Sequence, residues 1–134
     1  MATRSRIGYV NENGSITSAY CHYDGYPQHN GKILKEHYTT LDKVKQLVDG
    51  GDMTCLGATC DKPEGHTWEN PVENVTVYYG RDRGEKNVDA KVSPTKETFV
   101  ELAKGSWGEY VYIFENGKWS YSEVSCFMER SIRV

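Results

Sequence analysis

The sequence lacks long hydrophobic runs and an excess of basic residues. No stretch approaches the eighteen consecutive apolar residues of a membrane-spanning helix, so we expect no membrane partner. The formal net charge of -3 argues against general nucleic-acid binding, which usually needs a clear basic excess. No apolar segment follows the charged residues 1–6, so we expect no secretory signal and a cytoplasmic location.

Several chemical motifs are also missing. The chain has no phosphate-binding Gly-Lys-Ser/Thr loop, no dinucleotide fingerprint and no Gly-x-Ser-x-Gly elbow. Four residues separate Cys55 from Cys60, with His66 beyond them, whereas zinc ligands are usually more tightly spaced. We therefore predict free thiols, no metal and no cofactor.

Aromatic side chains are plentiful, and ten of the sixteen are tyrosines. A disordered chain would be poor in such residues, and 134 residues suffice for a single domain over 1–134. A tyrosine ring suits positions that are half buried and half available to a partner. The tyrosines are therefore candidates for both the core and a binding surface.

Turn and capping signals predict an α+β fold. Asn-Gly dipeptides predict hairpins between residues 7–10 and 16–23 and between residues 109–114 and 118–124. Helices are predicted over residues 28–38, from Thr39 or Thr40 to Gly50-Gly51, and from Ser93-Pro94 to Lys104. We expect an antiparallel sheet built from the hairpins, with about three helices packed on one face.

The remaining segments give weaker signals. Residues 52–75 read as a long irregular connection, a type that is often functional. Val75 to Tyr79 is predicted to form a strand, and residues 86–93 are predicted to be polar and exposed. The tail from Cys126 gives no clear prediction.

Arg4 and Arg6 form the first candidate site. Their spacing of two residues at the start of a strand places both side chains on one face. Two guanidinium groups on one face can clamp an anion with bidentate hydrogen bonds. The alternative is a solvated edge strand whose charges oppose aggregation.

His22, Asp24 and Tyr26 form the second candidate, and Asn30 follows closely. A histidine beside an aspartate can act as an oriented general base. The alternative is ordinary turn chemistry around Asp24-Gly25. The density of polar and aromatic side chains at the end of a strand favours a site.

The third candidate follows the strand predicted up to Tyr79, where glycines bracket Arg81, Asp82 and Arg83. Glycines allow a ligand to approach the backbone closely. The two arginines could bind phosphate or carboxylate, with Asp82 orienting one of them. An exposed, charged turn is the alternative.

Four segments together resemble a family of small proteins encoded by tailed phages and prophages. They are Thr3–Gly8, Tyr20–Pro27 with Asn30-Gly31 and His37-Tyr38, Gly51-Asp52 through Leu56-Gly57, and Tyr79–Glu85. The resemblance covers roughly residues 3–85 and the final aromatic hairpin, and it carries over no catalytic residues. It implies an accessory protein acting in an infected bacterium, where such proteins often blunt host defence by binding a defence protein or its nucleotide signal.

These features favour a non-catalytic binder that sequesters a phosphate-bearing small molecule. The arginines would hold the phosphate, and rings such as Tyr26 and Tyr79 would stack on a base. One alternative is that the same surface binds a host defence protein. Another is a small hydrolase or phosphoryl-transfer enzyme with His22 as base and Asp24 as its orienting partner. We prefer binding because the sequence has no clear nucleophile or metal cage. A homo-oligomer is compatible with this function, although no heptad pattern predicts one.

Overall fold

The computed structural model describes residues 2–124, which form one mixed sheet with helices on both faces. The strands are β1 (Ser5–Val10), β2 (Ile16–Cys21), β3 (Met53–Cys55), β4 (Val77–Tyr78), β5 (Lys91–Ser93), β6 (Tyr110–Glu115) and β7 (Lys118–Glu123). The helices are α1 (Lys32–His37), α2 (Leu41–Asp49), α3 (Tyr79–Arg83) and α4 (Lys96–Gly105), and a π-helical turn (Pro27–Gly31) leads into α1. The strand order is β4-β3-β2-β1-β6-β7, and β5 pairs with β2.

The α+β class and both hairpins are confirmed, but the sheet is mixed rather than antiparallel. The β1–β2 and β6–β7 pairs are antiparallel, as the Asn-Gly turns predict. The β1–β6 and β2–β3 pairs are parallel. A turn signal fixes only the two strands that it joins, whereas the pairing between hairpins depends on which faces the core buries.

The prediction that the helices pack on one face is wrong. On the first face, α1 and α2 bury Leu34 and Val44 in a cluster with Ile7 and Ala19. On the second face, α4 packs Phe99, Val100 and Ala103 against Ile16, Val111 and Ile113. The reason lies in the strands, whose alternating residues are apolar on both sides, so each face needs a cover.

Several boundaries differ from the predicted ones. Residues 86–92 are exposed or half-buried, in line with the prediction, but Ser93 is buried and β5 lies within this range. Thr95, rather than Ser93, therefore caps α4 by accepting a hydrogen bond from the Thr98 N–H. Thr40 caps α2, as one of the two predicted threonines.

The region between α2 and α3 also departs from expectation. The predicted strand up to Tyr79 is shortened to Val77–Tyr78, because α3 begins at Tyr79. Most of the connection over residues 52–75 is irregular, as predicted, although it begins with β3. The tail from Cys126 lies outside the described residues. Over residues 2–124, every helix is too short or too polar to span a membrane.

The second face of the sheet positions the candidate site. Helix α4 covers Ile16, near the start of β2. Further along β2, the same face carries Ser18 and then Tyr20, and Arg6 stands beside Tyr20 in the β1–β2 register. We call this region, beyond α4, the open end of the second face.

Candidate functional site

Arg6 is almost fully buried at the open end of the second face, with 4% of its surface exposed. Its Nε donates to Ser18 Oγ at 2.7 Å, and its Nη2 donates to the Ser18 carbonyl at 3.4 Å. Burial lowers the pKa of Arg6, and the charge of Asp52 opposes that shift. A guanidinium has five N–H donors, so three are left without an acceptor among residues 2–124.

Arg4, Tyr20 and His22 extend the site toward solvent, and all three are half-buried. The Tyr20 hydroxyl is 2.5 Å from His22 Nδ1. Burial raises the pKa of Tyr20, and a hydrogen bond with Arg4 partly offsets the rise. Burial and the neighbouring Arg4 charge lower the pKa of His22, which favours the neutral imidazole. Arg4 and Arg6 thus lie on one face, as their spacing predicts.

Tyr79 brings the third sequence motif to the same surface. Burial raises the pKa of Tyr79, with smaller contributions that include the nearby Tyr23 hydroxyl. Asp52 lies between Tyr79 and Tyr20, because the Tyr79 N–H donates to its carbonyl at 3.1 Å and the Tyr20 N–H donates to its Oδ1 at 3.0 Å. The ring centroids of Tyr79 and Trp68 are 5.5 Å apart, and the Arg83 guanidinium lies 5.0 Å from the Trp68 ring centroid. We call this set the Arg–Tyr surface; it consists of Arg4, Arg6, Tyr20, His22, Trp68, Tyr79 and Arg83.

Arg81 lies next in sequence to this surface, but its hydrogen bonds stay within the fold. Its Nη1 donates to the Cys60 carbonyl, and its Nη2 donates to the Thr76 carbonyl at 3.0 Å. Its Nε donates to Asp82 Oδ1 at 2.9 Å. These bonds attach the irregular connection to α3, so we assign Arg81 a structural role in place of the ligand-binding role expected from sequence.

Asp82 is the centre of a buried network that includes His66. Asp82 Oδ2 accepts the Tyr78 N–H at 2.8 Å and lies 3.2 Å from His66 Nε2. Burial alone would raise the pKa of Asp82, but hydrogen bonds from Arg81, Tyr78 and His66 outweigh burial and lower it. Both the His66 and Asp82 side chains are fully buried. Asp82 therefore orients Arg81, as predicted, but this orientation stabilises the fold and does not serve ligand binding.

The hydrogen bonds of His66 define its chemistry. The Val72 N–H donates to His66 Nδ1 at 3.0 Å, so the proton of a neutral ring lies on Nε2, facing Asp82. Neither nitrogen is then available to take a proton from a substrate. This His–Asp pair is a structural connection and not a catalytic dyad. The sequence offered His66 only as a weak metal ligand, because its carboxylate partner is distant along the chain.

His22 and Asp24 do not form the expected pair. His22 bonds to Tyr20, whereas Asp24 Oδ1 accepts the Tyr26 hydroxyl at 3.2 Å. Asp24 has a backbone φ of 57°, a left-handed turn conformation that aspartate tolerates. Asp24 and Tyr26 border the Arg–Tyr surface in sequence, but Asp24 does not orient His22. The enzyme alternative thus lacks its acid–base pair.

Asn30 lies on the opposite side of the sheet from Arg6. Its side chain is fully buried, and its Nδ2 donates to Ser5 Oγ and to Cys21 Sγ, each at 3.4 Å. Ser5 and Cys21 face the first side of the sheet, because they alternate with Arg6 and Tyr20. Asn30 connects the π-helical turn to β1 and β2 and is separated from the Arg–Tyr surface.

The cysteines in the described range are free thiols, as predicted: Cys21, Cys55 and Cys60. Burial raises the pKa of Cys21 to about 12, so this thiol is unreactive near neutral pH. Over residues 2–124, no three His, Cys, Asp or Glu side chains are grouped closely enough to hold a metal ion.

Sequence reasoning missed Trp68 as a site residue, whereas it placed Tyr20 beside the charged cluster around His22. Alternation along β2 puts Tyr20 on the face of His22, which is a usable signal. Trp68 lies in an irregular segment, where no periodicity indicates its neighbours.

Comparison of the chain with protein-family models, curated proteins and solved structures found no match.

Proposed function

We propose that the protein is a non-catalytic binder that holds a phosphate-bearing, nucleotide-like ligand on the Arg–Tyr surface. The observation that carries the proposal is the buried Arg6 guanidinium, which has only Ser18 as a hydrogen-bond partner among the described residues. Among the described residues, Ser93 Oγ is the only buried side-chain polar atom without a partner, so the unpartnered Arg6 Nη1 keeps some exposed surface, where an anion can accept its hydrogen bonds. Arg4, on the same face, supplies a second cation for the same group.

The rings around these arginines supply a surface for a base. Tyr20, Trp68 and Tyr79 are all half-buried, so each ring keeps part of its surface available to a ligand. Stacking of a base on such a ring contributes about 1–3 kcal/mol. Arg83 lies over Trp68 and adds positive charge at the margin. Phosphate and base would then contact different parts of one surface.

Two observations favour binding over catalysis. The hydrogen bonds of the buried His66–Asp82 pair leave no free nitrogen for a general base. The half-buried candidates, His22 and Asp24, bond to different tyrosines. We therefore expect the ligand to be held without being cleaved.

The resemblance to small phage proteins suggests the biological setting of this proposal. In that setting the protein would be a phage-encoded counter-defence factor in the infected cell, and it would sequester a nucleotide signal.

A second candidate is direct inhibition of a host defence protein, and Trp107 is the observation that favours it. This ring is 78% exposed and its backbone φ is 62°, whereas protein interfaces often use an exposed tryptophan as an anchor.

The test is to recover the ligand. The protein is incubated with lysate of phage-infected, defence-positive cells, re-isolated and heat-denatured, and the released compounds are identified by mass spectrometry. We expect an intact phosphate-bearing compound from the wild type and from the control Lys86→Ala, and none from Arg4→Ala. Release of a cleaved compound would support the enzyme instead. Capture of a host protein without any small molecule would support the second candidate.

A further inference from the structure

A groove on the first face of the sheet is distinct from the Arg–Tyr surface. It lies between α1 and the β6–β7 hairpin and has a volume of about 640 Å³. This volume is in the range typical of small-molecule sites. Its aromatic lining consists of Tyr112, Phe114, Trp119 and Tyr121.

The aromatic rings of the groove are fixed in position, and two of them, Trp119 and Tyr121, keep part of their surface open, whereas Tyr112 and Phe114 are buried. Phe114 and Trp119 meet edge to face with centroids 5.2 Å apart, and Trp119 Nε1 donates to the Tyr38 carbonyl at 2.9 Å. Tyr112 and Tyr121 have centroids 5.9 Å apart, and Tyr121 is 50% exposed. A groove with rings held in this way can accept a flat ligand without rearranging, which limits the entropy lost on binding.

The charges around the groove have one sign. Lys32 and Lys35 line it from α1, Lys118 lines it from β7, and no carboxylate is among the lining residues. None of these three lysines has an ion-pair partner within residues 2–124. The whole chain carries a net charge of -3. The group of three unpaired lysines beside the aromatic rings therefore does not follow from the overall charge of the chain, which is negative.

We propose that this groove binds a small planar aromatic molecule that carries a negative charge. The accessible rings of Trp119 and Tyr121 supply an apolar, flat contact, and the lysines at the rim supply the charge that selects an anion over a neutral ring. The polar lining residue Thr39 can fix the orientation of the ligand. The site is independent of the proposed function, because it lies on the other side of the sheet from Arg6.

Isothermal titration calorimetry with 1-naphthoate, and with neutral 1-naphthalenemethanol as its counterpart, tests this proposal. We expect naphthoate to bind one site per chain and to bind about tenfold more tightly than the alcohol at low salt, with the difference shrinking as salt rises. Equal affinities, or no binding of naphthoate, would overturn the proposal.

Variants locate the site. The triple variant Lys32→Gln, Lys35→Gln, Lys118→Gln should lower the affinity for naphthoate about tenfold. The variant Tyr121→Ser should weaken the binding of both naphthoate and the alcohol. The matched control Lys62→Gln, which removes an exposed lysine outside the groove, should leave binding unchanged. An equal loss in this control would contradict the assignment. Tighter binding of an acidic, tyrosine-containing peptide than of naphthoate would also overturn it, in favour of a protein partner.

Discussion

Two arginines of this protein have opposite environments. Arg81 lies in the motif with the densest charge, yet it bonds to two backbone carbonyls and to Asp82. Arg6 lies in a short strand, is 4% exposed and has Ser18 as its only hydrogen-bond partner among residues 2–124. Charge density in the sequence therefore does not identify the arginine that is available to a ligand. That arginine is identified by counting which guanidinium N–H donors have an acceptor within the fold.

The largest expected effect is on the network around Arg81. Asp82→Ala should lower the free energy of unfolding by about 3 kcal/mol, because it leaves the buried His66 and Tyr78 donors without an acceptor and removes one partner of Arg81. Urea denaturation measures this loss. Asp82→Asn, which keeps one side-chain oxygen, should lose less. A loss below about 1 kcal/mol for Asp82→Ala would show that the network is not structural.

The contrast between arginines can be tested directly with Arg81→Ala and Arg4→Ala. Arg81→Ala should cost about 2 kcal/mol of stability because two backbone carbonyls lose their donor, while the folded protein keeps its ligand. Arg4→Ala should change stability by less than about 0.5 kcal/mol but abolish ligand-induced thermal stabilisation. Chemical denaturation and thermal-shift assays on both variants measure these effects. If Arg4→Ala lost stability and Arg81→Ala lost ligand binding, the contrast between the two arginines would be refuted.

Two carboxylates should give opposite pH dependences. The pKa of Asp82 is lowered in the fold, so its stabilising effect is present above the unfolded pKa of about 3.9 and is lost as the pH falls. Burial raises the pKa of Asp52 against the effects of Tyr20, Arg6 and Lys91, so stability is lost as the pH rises through the interval between its unfolded and folded pKa values.

Urea unfolding between about pH 2 and 6 measures these effects in Asp82→Asn and Asp52→Asn. Asp82→Asn should flatten the rise in the free energy of unfolding as the pH increases. Asp52→Asn should remove a fall in the free energy of unfolding as the pH increases. If both variants changed the slope in the same direction, the assigned environments would be incorrect.

Arg83 should show the smallest effect. It is exposed, lies over Trp68 and stands 3.7 Å from Glu85. Arg83→Ala should therefore weaken ligand binding about threefold, as expected for loss of an exposed cation–π contact, with stability changed by less than about 0.5 kcal/mol. Calorimetry with the recovered ligand measures the affinity. A complete loss of binding would move Arg83 from the margin to the centre of the site.

The sequence predicts much of the local structure because local signals determine it. The Asn-Gly turns specify both hairpins, and Thr40 caps α2 as its hydroxyl chemistry predicts. The spacing of two residues at the start of β1 places Arg6 and Arg4, the residue before the strand, on one face. Each of these features depends on residues close together in the chain.

The remaining features depend on contacts between distant segments. The parallel β1–β6 pairing and the cover of both sheet faces follow from how separate elements share the core. The role of Arg81 depends on carbonyls of Cys60 and Thr76, and that of His66 on Asp82. No local pattern specifies these partners, so the sequence located the charged motifs but could not separate structural from available side chains.

The most direct test of the central claim is to observe the arginine side chains while an anion binds. Inorganic pyrophosphate is titrated into the protein, and the Nε–H signals of Arg4, Arg6 and Arg81 are followed by nitrogen–proton NMR. The account predicts saturable shifts for Arg4 and Arg6 and an unchanged signal for Arg81. A shift at Arg81 with none at Arg6, or no shift at any of the three, would contradict it.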